Sequence, residues 1–359
     1  MLYHFFYLLR GEGGIFNVFR YLTFRSMVAF FLTFTLVFIF QPKFIQRIRE
    51  LQFGQPIRED GPQSHQAKKG TPTMGGVVMV LAILISTLLL ADLRNLYVWV
   101  MVGITVCYGI LGFLDDYKKV TKQNTKGVSA RMKMLWQFIG ACFFILLIVS
   151  FGPNYDTSVS IPFFKGVSVP LGWWYVPFGA LVVVGASNAV NLTDGLDGLV
   201  TVPVMSVAFA YGVFAYVTGN AKIAEYLQLP YVAGCGDIAI FAAATIAGGM
   251  GFLWYNAFPA QVFMGDVGAL ALGGALGMMA LITKQELLLV VAGGVFVVEA
   301  VSVILQVFSF KLTGKRIFRM APIHHHFELK GMSEPKIIVR AWIISMILAI
   351  VTLTSLKLR

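Results

Sequence analysis

The stretch YVWVMVGITVCYGILGFLDDYKK, residues 97–119, runs for eighteen uncharged positions and then sets two aspartates and two lysines within five. A bilayer core of about 30 Å is crossed by roughly 20 predominantly apolar residues in helical form. Residues 97–114 therefore read as a transmembrane helix that ends at Asp115. Nine further segments read the same way, at about 26–41, 74–91, 134–151, 170–190, 199–218, 237–258, 267–283, 286–310 and 337–356. The expected fold class is an all-α polytopic membrane protein of about ten transmembrane helices, with residues 1–359 forming a single integral-membrane domain.

Composition agrees. Hydrophobic residues make up 58% of the chain and charged residues 13%, whereas a soluble domain carries about a quarter charged residues. Lipid must solvate much of the surface. The net charge of +11 would point to nucleic acid in a soluble protein; here it reads as cytoplasmic lysine and arginine, and no nucleic-acid partner is expected. Cys107, Cys142 and Cys235 show no disulfide or metal spacing. Arg10, Glu12, Arg20 and Arg25 interrupt the first apolar stretch, so it does not read as a signal peptide.

Loop charge orients the bundle. Lys43, Arg47, Arg49, Arg58, Lys68 and Lys69 follow the first span, six lysines and arginines from Lys118 to Lys133 follow the third, and six from Lys311 to Lys336 follow the ninth. The even loops hold only Arg94, Lys165, Lys222 and Lys284. The odd loops are thus expected in the cytoplasm and both termini in the periplasm. By alternation, the loops with Asp194, Asp197 and Asp266 share the cytoplasmic face with the basic ones.

Four polar clusters gather on that face. Asp115 and Asp116 are adjacent carboxylates at the mouth of an apolar helix, costly unless paired with cations or a metal. About 100° apart on a helix, they are expected to do different jobs; the alternative is a solvated interfacial stop. The stretch from Asn188 through Asn191, Asp194 and Asp197 to Leu199 repeats a polar residue every third position, with Gly195 and Gly198 breaking the helix. Its carboxylates and amides suit a hard cation, or ribose and base hydrogen bonds. In the stretch from Trp254 to Gly268, Pro259 stops a helix and Gly265 permits a turn before Asp266. Asp266 could cap the next helix, and Phe263 could be core or a base-stacking platform. Finally, His324, His325 and His326 are consecutive. Neighbouring side chains diverge, so phosphate recognition, proton transfer or a structural role fits at least as well as zinc. Surrounding lysines and arginines should disfavour imidazole protonation. Glu299, an acid inside a span, is expected to have a purpose that the sequence leaves open.

At these residues the chain resembles the polyprenyl-phosphate N-acetylhexosamine-1-phosphate transferase family, essentially end to end. The resemblance rests on Thr71-Pro-Thr-Met-Gly-Gly76, Asp115-Asp116, Asn188 through Gly198, Phe263-Met-Gly-Asp266 and Pro322 through His326. The triple-histidine loop resembles the muramoyl-pentapeptide branch in particular. The resemblance implies a ten-helix bundle in the bacterial inner membrane, with a cytoplasmic active-site cleft, dependence on magnesium and a homodimer. It implies UDP-N-acetylmuramoyl-pentapeptide and undecaprenyl phosphate as substrates, and lipid I and UMP as products, in peptidoglycan synthesis. Under it, Asp266 is the expected magnesium ligand and Asp115 the base, with Asp116 an electrostatic or metal-shell residue. Lys69, Lys119 and Lys133 become candidate phosphate or nucleoside contacts, Phe263 a uracil platform and Asn256 a polar contact. The histidines would meet the diphosphate or muramoyl portion. One-step transfer and an aspartyl-phosphate route both remain open. An N-acetylglucosamine-1-phosphate transferase of the same superfamily is the near alternative. A secondary transporter is the distant one, although transporters place their site near the midplane and often carry inverted repeats.

Overall fold

A computed structural model describes residues 1–8, 14–51, 70–122, 127–164 and 167–357. A short helix α1 (Leu2–Leu8) precedes α2 (Leu22–Glu50), α3 (Gly76–Leu90), α4 (Leu96–Thr121) and α5 (Ala130–Phe151). A small antiparallel hairpin, β1 (Ser158–Ser160) and β2 (Ser168–Pro170), leads into α6 (Tyr175–Thr193), α7 (Thr201–Thr218), the short α8 (Ala221–Leu227), α9 (Ile238–Asn256) and α10 (Gly265–Ile282). The chain closes with α11 (Leu288–Ala292), α12 (Gly294–Thr313), α13 (Ile323–Glu328) and α14 (Glu334–Thr354).

Among the described residues, nine helical segments are long and apolar enough to cross a membrane, and α3 is a tenth, shorter apolar helix. The protein is therefore an all-α, multi-pass membrane protein. Several expected boundaries shift, three of them for local reasons. The first span runs through Pro42 to Glu50 because Gln41 and Ile45, either side of the proline, stay buried in the bundle. The second is only fifteen residues long, because Met74 takes a positive φ of 67° and turns the chain. The ninth is split at Gly293 into α11 and α12.

Helix α10 is the axle. Every residue from Val267 to Ile282 is buried, and the helix packs on α3, α4, α6 and α7. Its glycines and alanines make this possible, since small residues let backbones approach where no hydrophobic force separates helix from lipid. The outer helices reverse this pattern, exposing Phe31, Ile139, Phe143, Ile304, Phe308 and Ile350. An apolar outside around a small-residue inside is the arrangement expected of a chain solvated by acyl tails.

The two ends of α10 carry different chemistry. At its start lie Asp266 and the acids of α4. Beyond its finish, Lys284 and Glu286 are each 2% exposed and pair at 3.0 Å. Lys284 Nζ also donates to the Ser158 carbonyl at 2.6 Å and lies 4.2 Å from the centre of the Tyr175 ring. Tyr175 donates to Glu286 at 2.5 Å, and Tyr155 donates to the Leu281 carbonyl at 2.8 Å. At 1.5 Å per residue, the 18 residues of α10 separate the two ends by about 27 Å.

Candidate active site

Helix α4 does not stop at the acids. It continues to Thr121, so Asp115 (0% exposed) and Asp116 (4%) lie within its last two turns and face inward. Each finds a different partner. Asp116 Oδ2 accepts the Val267 N–H at 3.2 Å, satisfying one of the free donors at the start of α10. Asp115 Oδ1 accepts the Val128 N–H at 2.5 Å, while its Oδ2 faces Lys119 Nζ at 2.6 Å and Lys133 Nζ at 2.8 Å. Both ammoniums also reach Asp266 Oδ2, Lys119 at 3.1 Å and Lys133 at 2.6 Å. Two cations thus bridge carboxylates from two helices, which offsets the cost of burying them.

One turn brings Asp266 to this place. Gly265 has φ of +76°, open to glycine at little cost, and a Cβ there would lie 2.5 Å from Asp116 Oδ2. The preceding segment is zipped to the 70–76 turn: Phe263 N–H donates to the Pro72 carbonyl, and Gly75 N–H and Gly76 N–H donate to the Phe263 and Met264 carbonyls, at 2.8–3.0 Å. Val262 and Met264 are fully buried, whereas Phe263 between them is partly exposed and its ring joins none of the buried apolar clusters. Part of the ring is open at the surface of the described residues.

Ligand oxygens of Asp115, Asp116 and Asp266 lie within 4.8 Å of one another. An all-oxygen set suits a hard divalent cation, and the two ammoniums already gathered there mark it as a place that collects positive charge. Asp194, at the end of α6, faces this group: burial and then the charge of Asp266 push its carboxyl up to about 7.

The remaining expected residues divide. Asp197, 3% exposed, accepts the Ala260 N–H at 2.9 Å, and its own N–H donates to Glu334 at 3.1 Å. Asn256, 1% exposed, donates to the Val262 carbonyl at 2.8 Å and accepts from Thr201. Both brace the 257–264 loop. Asn188 is bonded to Gln137 Oε1 and to the Val184 carbonyl, each at 2.8 Å, and Asn191 is half-buried one turn nearer the site. Lys69 lies outside the described residues. Of the histidines, His324 is buried against Glu299, His325 pairs with Glu328 at 2.7 Å, and His326 Nδ1 accepts the Arg319 N–H at 3.0 Å. Burial first, then Lys330 and Arg319, lower the affinity of His326 for a proton. With its Nδ1 an acceptor, the neutral ring carries its proton on Nε2. Sequence reasoning missed Gln137, which holds Asn188, Glu334, which accepts the Asp197 N–H, and the Val128 N–H, which donates to Asp115; only the fold gives them these partners.

The fold and this group define a class: a membrane-embedded transferase with an acidic, lysine-bridged site at one end of its helices. Residues 98–284 match the family model described as glycosyl transferase family 4. The chain is 56% identical to the phospho-N-acetylmuramoyl-pentapeptide-transferases of Citrifermentans bemidjiense and Geobacter sp. strain M21, and 55% identical to that of Pelobacter propionicus, each over 100% of both chains. The chain belongs to glycosyl transferase family 4.

Proposed function

We propose that this protein transfers phospho-N-acetylmuramoyl-pentapeptide from its UDP derivative to undecaprenyl phosphate, giving lipid I and UMP at the cytoplasmic face of the bacterial inner membrane. The observation that carries the chemistry is the meeting of Asp115, Asp116, Asp266, Lys119 and Lys133 at the end of two packed helices. The substrate assignment leans on the names of the full-length relatives. The homodimer is carried over from the family resemblance and belongs to the same reading.

In the reaction, an oxygen of the lipid phosphate forms a bond to the sugar-bearing phosphorus. The bond from that phosphorus to the bridging oxygen breaks, and UMP leaves with the electron pair. Asp115 takes the proton of the lipid phosphate, where one is present, and is held for this by the Val128 N–H. Lys119 and Lys133 release their carboxylates in favour of substrate phosphates, placing positive charge where it develops on the leaving group. The acids fit magnesium, which Asp266 would hold with Asp116 beside it; when bound, the ion offsets the repulsion between two phosphate-bearing substrates. Asp194 lies next to Asp266, on the loop that borders the acids. The assay is UMP release by purified protein given magnesium, polyprenyl phosphate and UDP-muramoyl-pentapeptide. Release that requires all three supports the reading; release with UDP-N-acetylglucosamine in place of the muramoyl substrate overturns it.

Two further outcomes are expected. Phe263→Ala raises the KM for the nucleotide sugar roughly 5- to 150-fold, the equivalent of a base–aromatic stack worth about 1–3 kcal/mol. An unchanged KM with a lower melting temperature would make Phe263 a packing residue. For the histidine loop, alanine at 324, 325 and 326 impairs turnover unequally, since each ring has a different partner. A zinc-selective chelator that spares magnesium leaves the wild type active; stoichiometric zinc together with loss of activity on chelation would replace the substrate-contact reading by a metal one.

A further inference from the structure

Glu299 lies in α12, within the membrane-spanning part of the fold, and is 5% exposed. A lone acid there is costly, and the residue that meets it comes from a separate element. His324, on α13 and 1% exposed, has Nδ1 3.0 Å from Glu299 Oε2, and its backbone N–H points to the same oxygen at 3.5 Å. When Glu299 is ionised it can only accept, and the proton between them then sits on Nδ1. The other ring nitrogen has no hydrogen-bond partner among the described residues, although it is buried. A buried polar atom left unpaired is costly, and native structures seldom keep one without use.

The direction of that nitrogen narrows the use. Nε2 abuts Gly195, so closely that a Cβ at 195 would collide with it. Gly195 follows Asp194, which faces Asp266. The unpaired nitrogen is therefore turned from the interior of α12 toward the loop that borders the acidic site.

We propose that Glu299 is a positioning residue: it fixes His324 with the proton on Nδ1, so that Nε2 meets the nucleotide sugar at the 194–198 loop as a hydrogen-bond acceptor. The inference rests on the transferase reading above and names the group that Nε2 receives by class, a hydroxyl or amide N–H of the sugar-bearing half of the donor. His326, whose Nδ1 is already occupied by the Arg319 N–H, presents the opposite polarity. The loop thus offers an acceptor and a donor two and four residues after its proline, Pro322, and two identical side chains are made unlike by what lies behind them.

The test has a spectroscopic arm and a kinetic arm. In 15N-histidine-labelled wild-type protein in mildly alkaline buffer, one resonance set, assigned by its loss in His324→Gln, should show a protonated Nδ1 and a bare Nε2. In Glu299→Gln the bare Nε2 signal should shift toward a tautomer mixture. Kinetically, Glu299→Gln should lower kcat/KM about 10- to 100-fold, by analogy with the loss when the carboxylate behind a metal-ligating histidine is removed. In the His324→Gln background the same change should cost nothing further, because Glu299 acts through that ring. A wild-type His324 protonated on Nε2, or costs of the two substitutions that multiply in the double variant, would overturn the proposal. The labelling arm needs no substrate, so it fails or succeeds independently of the donor's identity, which the UMP-release assay decides.

Discussion

Asp266→Asn abolishes turnover while the protein still inserts and elutes as the wild type does. Asp266 is the first acid of α10 and sits where the positive end of the helix dipole favours a negative charge. Its Oδ2 meets both Lys119 and Lys133. Asparagine keeps the size of the side chain but removes the charge that holds the two ammoniums and would hold magnesium. Asparagine leaves the backbone of the α10 start and the buried residues 267–282 unchanged, so the fold is kept. Magnesium titrations of activity are the measurement. Activity within a few-fold of wild type at ordinary magnesium would end the ligand role. Recovery at high magnesium would instead show the ligand set weakened and still in use.

The second large effect is at the neighbouring pair. Asp115→Asn loses most of its rate at every pH, about 10²- to 10⁴-fold, the range over which a positioned acid or base contributes. Asp116→Asn is expected to behave differently, because Asp116 answers the Val267 N–H at the start of α10 and Asp115 answers the two lysines. The informative measurement is the pH dependence of the Asp115→Asn rate. If alkaline buffer returns that variant to the wild-type rate, the lipid phosphate loses its proton without help and the base assignment falls.

Much of this was legible in residues 97–119 alone. An uncharged run of that length has to be a span, and two acids at its end need cations nearby. What the sequence could not supply was which cations. Lys119 is one turn along the same helix and could be inferred, but Lys133 reaches Asp115 only because the chain turns back through Val128 into α5. Asp197 and Asn256 look like ligands in a sequence, since polar side chains in apolar surroundings demand a reason. In the structure their reason is the backbone of the 257–264 loop, whose groups would otherwise go unsatisfied. Glu299 and His324 are 25 positions apart with no periodicity linking them, and the boundary of the first span was misplaced because Pro42 interrupts a propensity without interrupting a helix.

The buried Lys284–Glu286 pair, bound by Tyr175 and by the Ser158 carbonyl, lies at the far end of α10 from Asp266. Separating such a pair leaves two uncompensated charges and costs several kcal/mol. The end of α10 remote from Asp266 is therefore pinned to the first residue of α6 and to β1 by a charge pair and its hydrogen bonds. The acids work from a helix that is anchored at its other end by more than apolar contact.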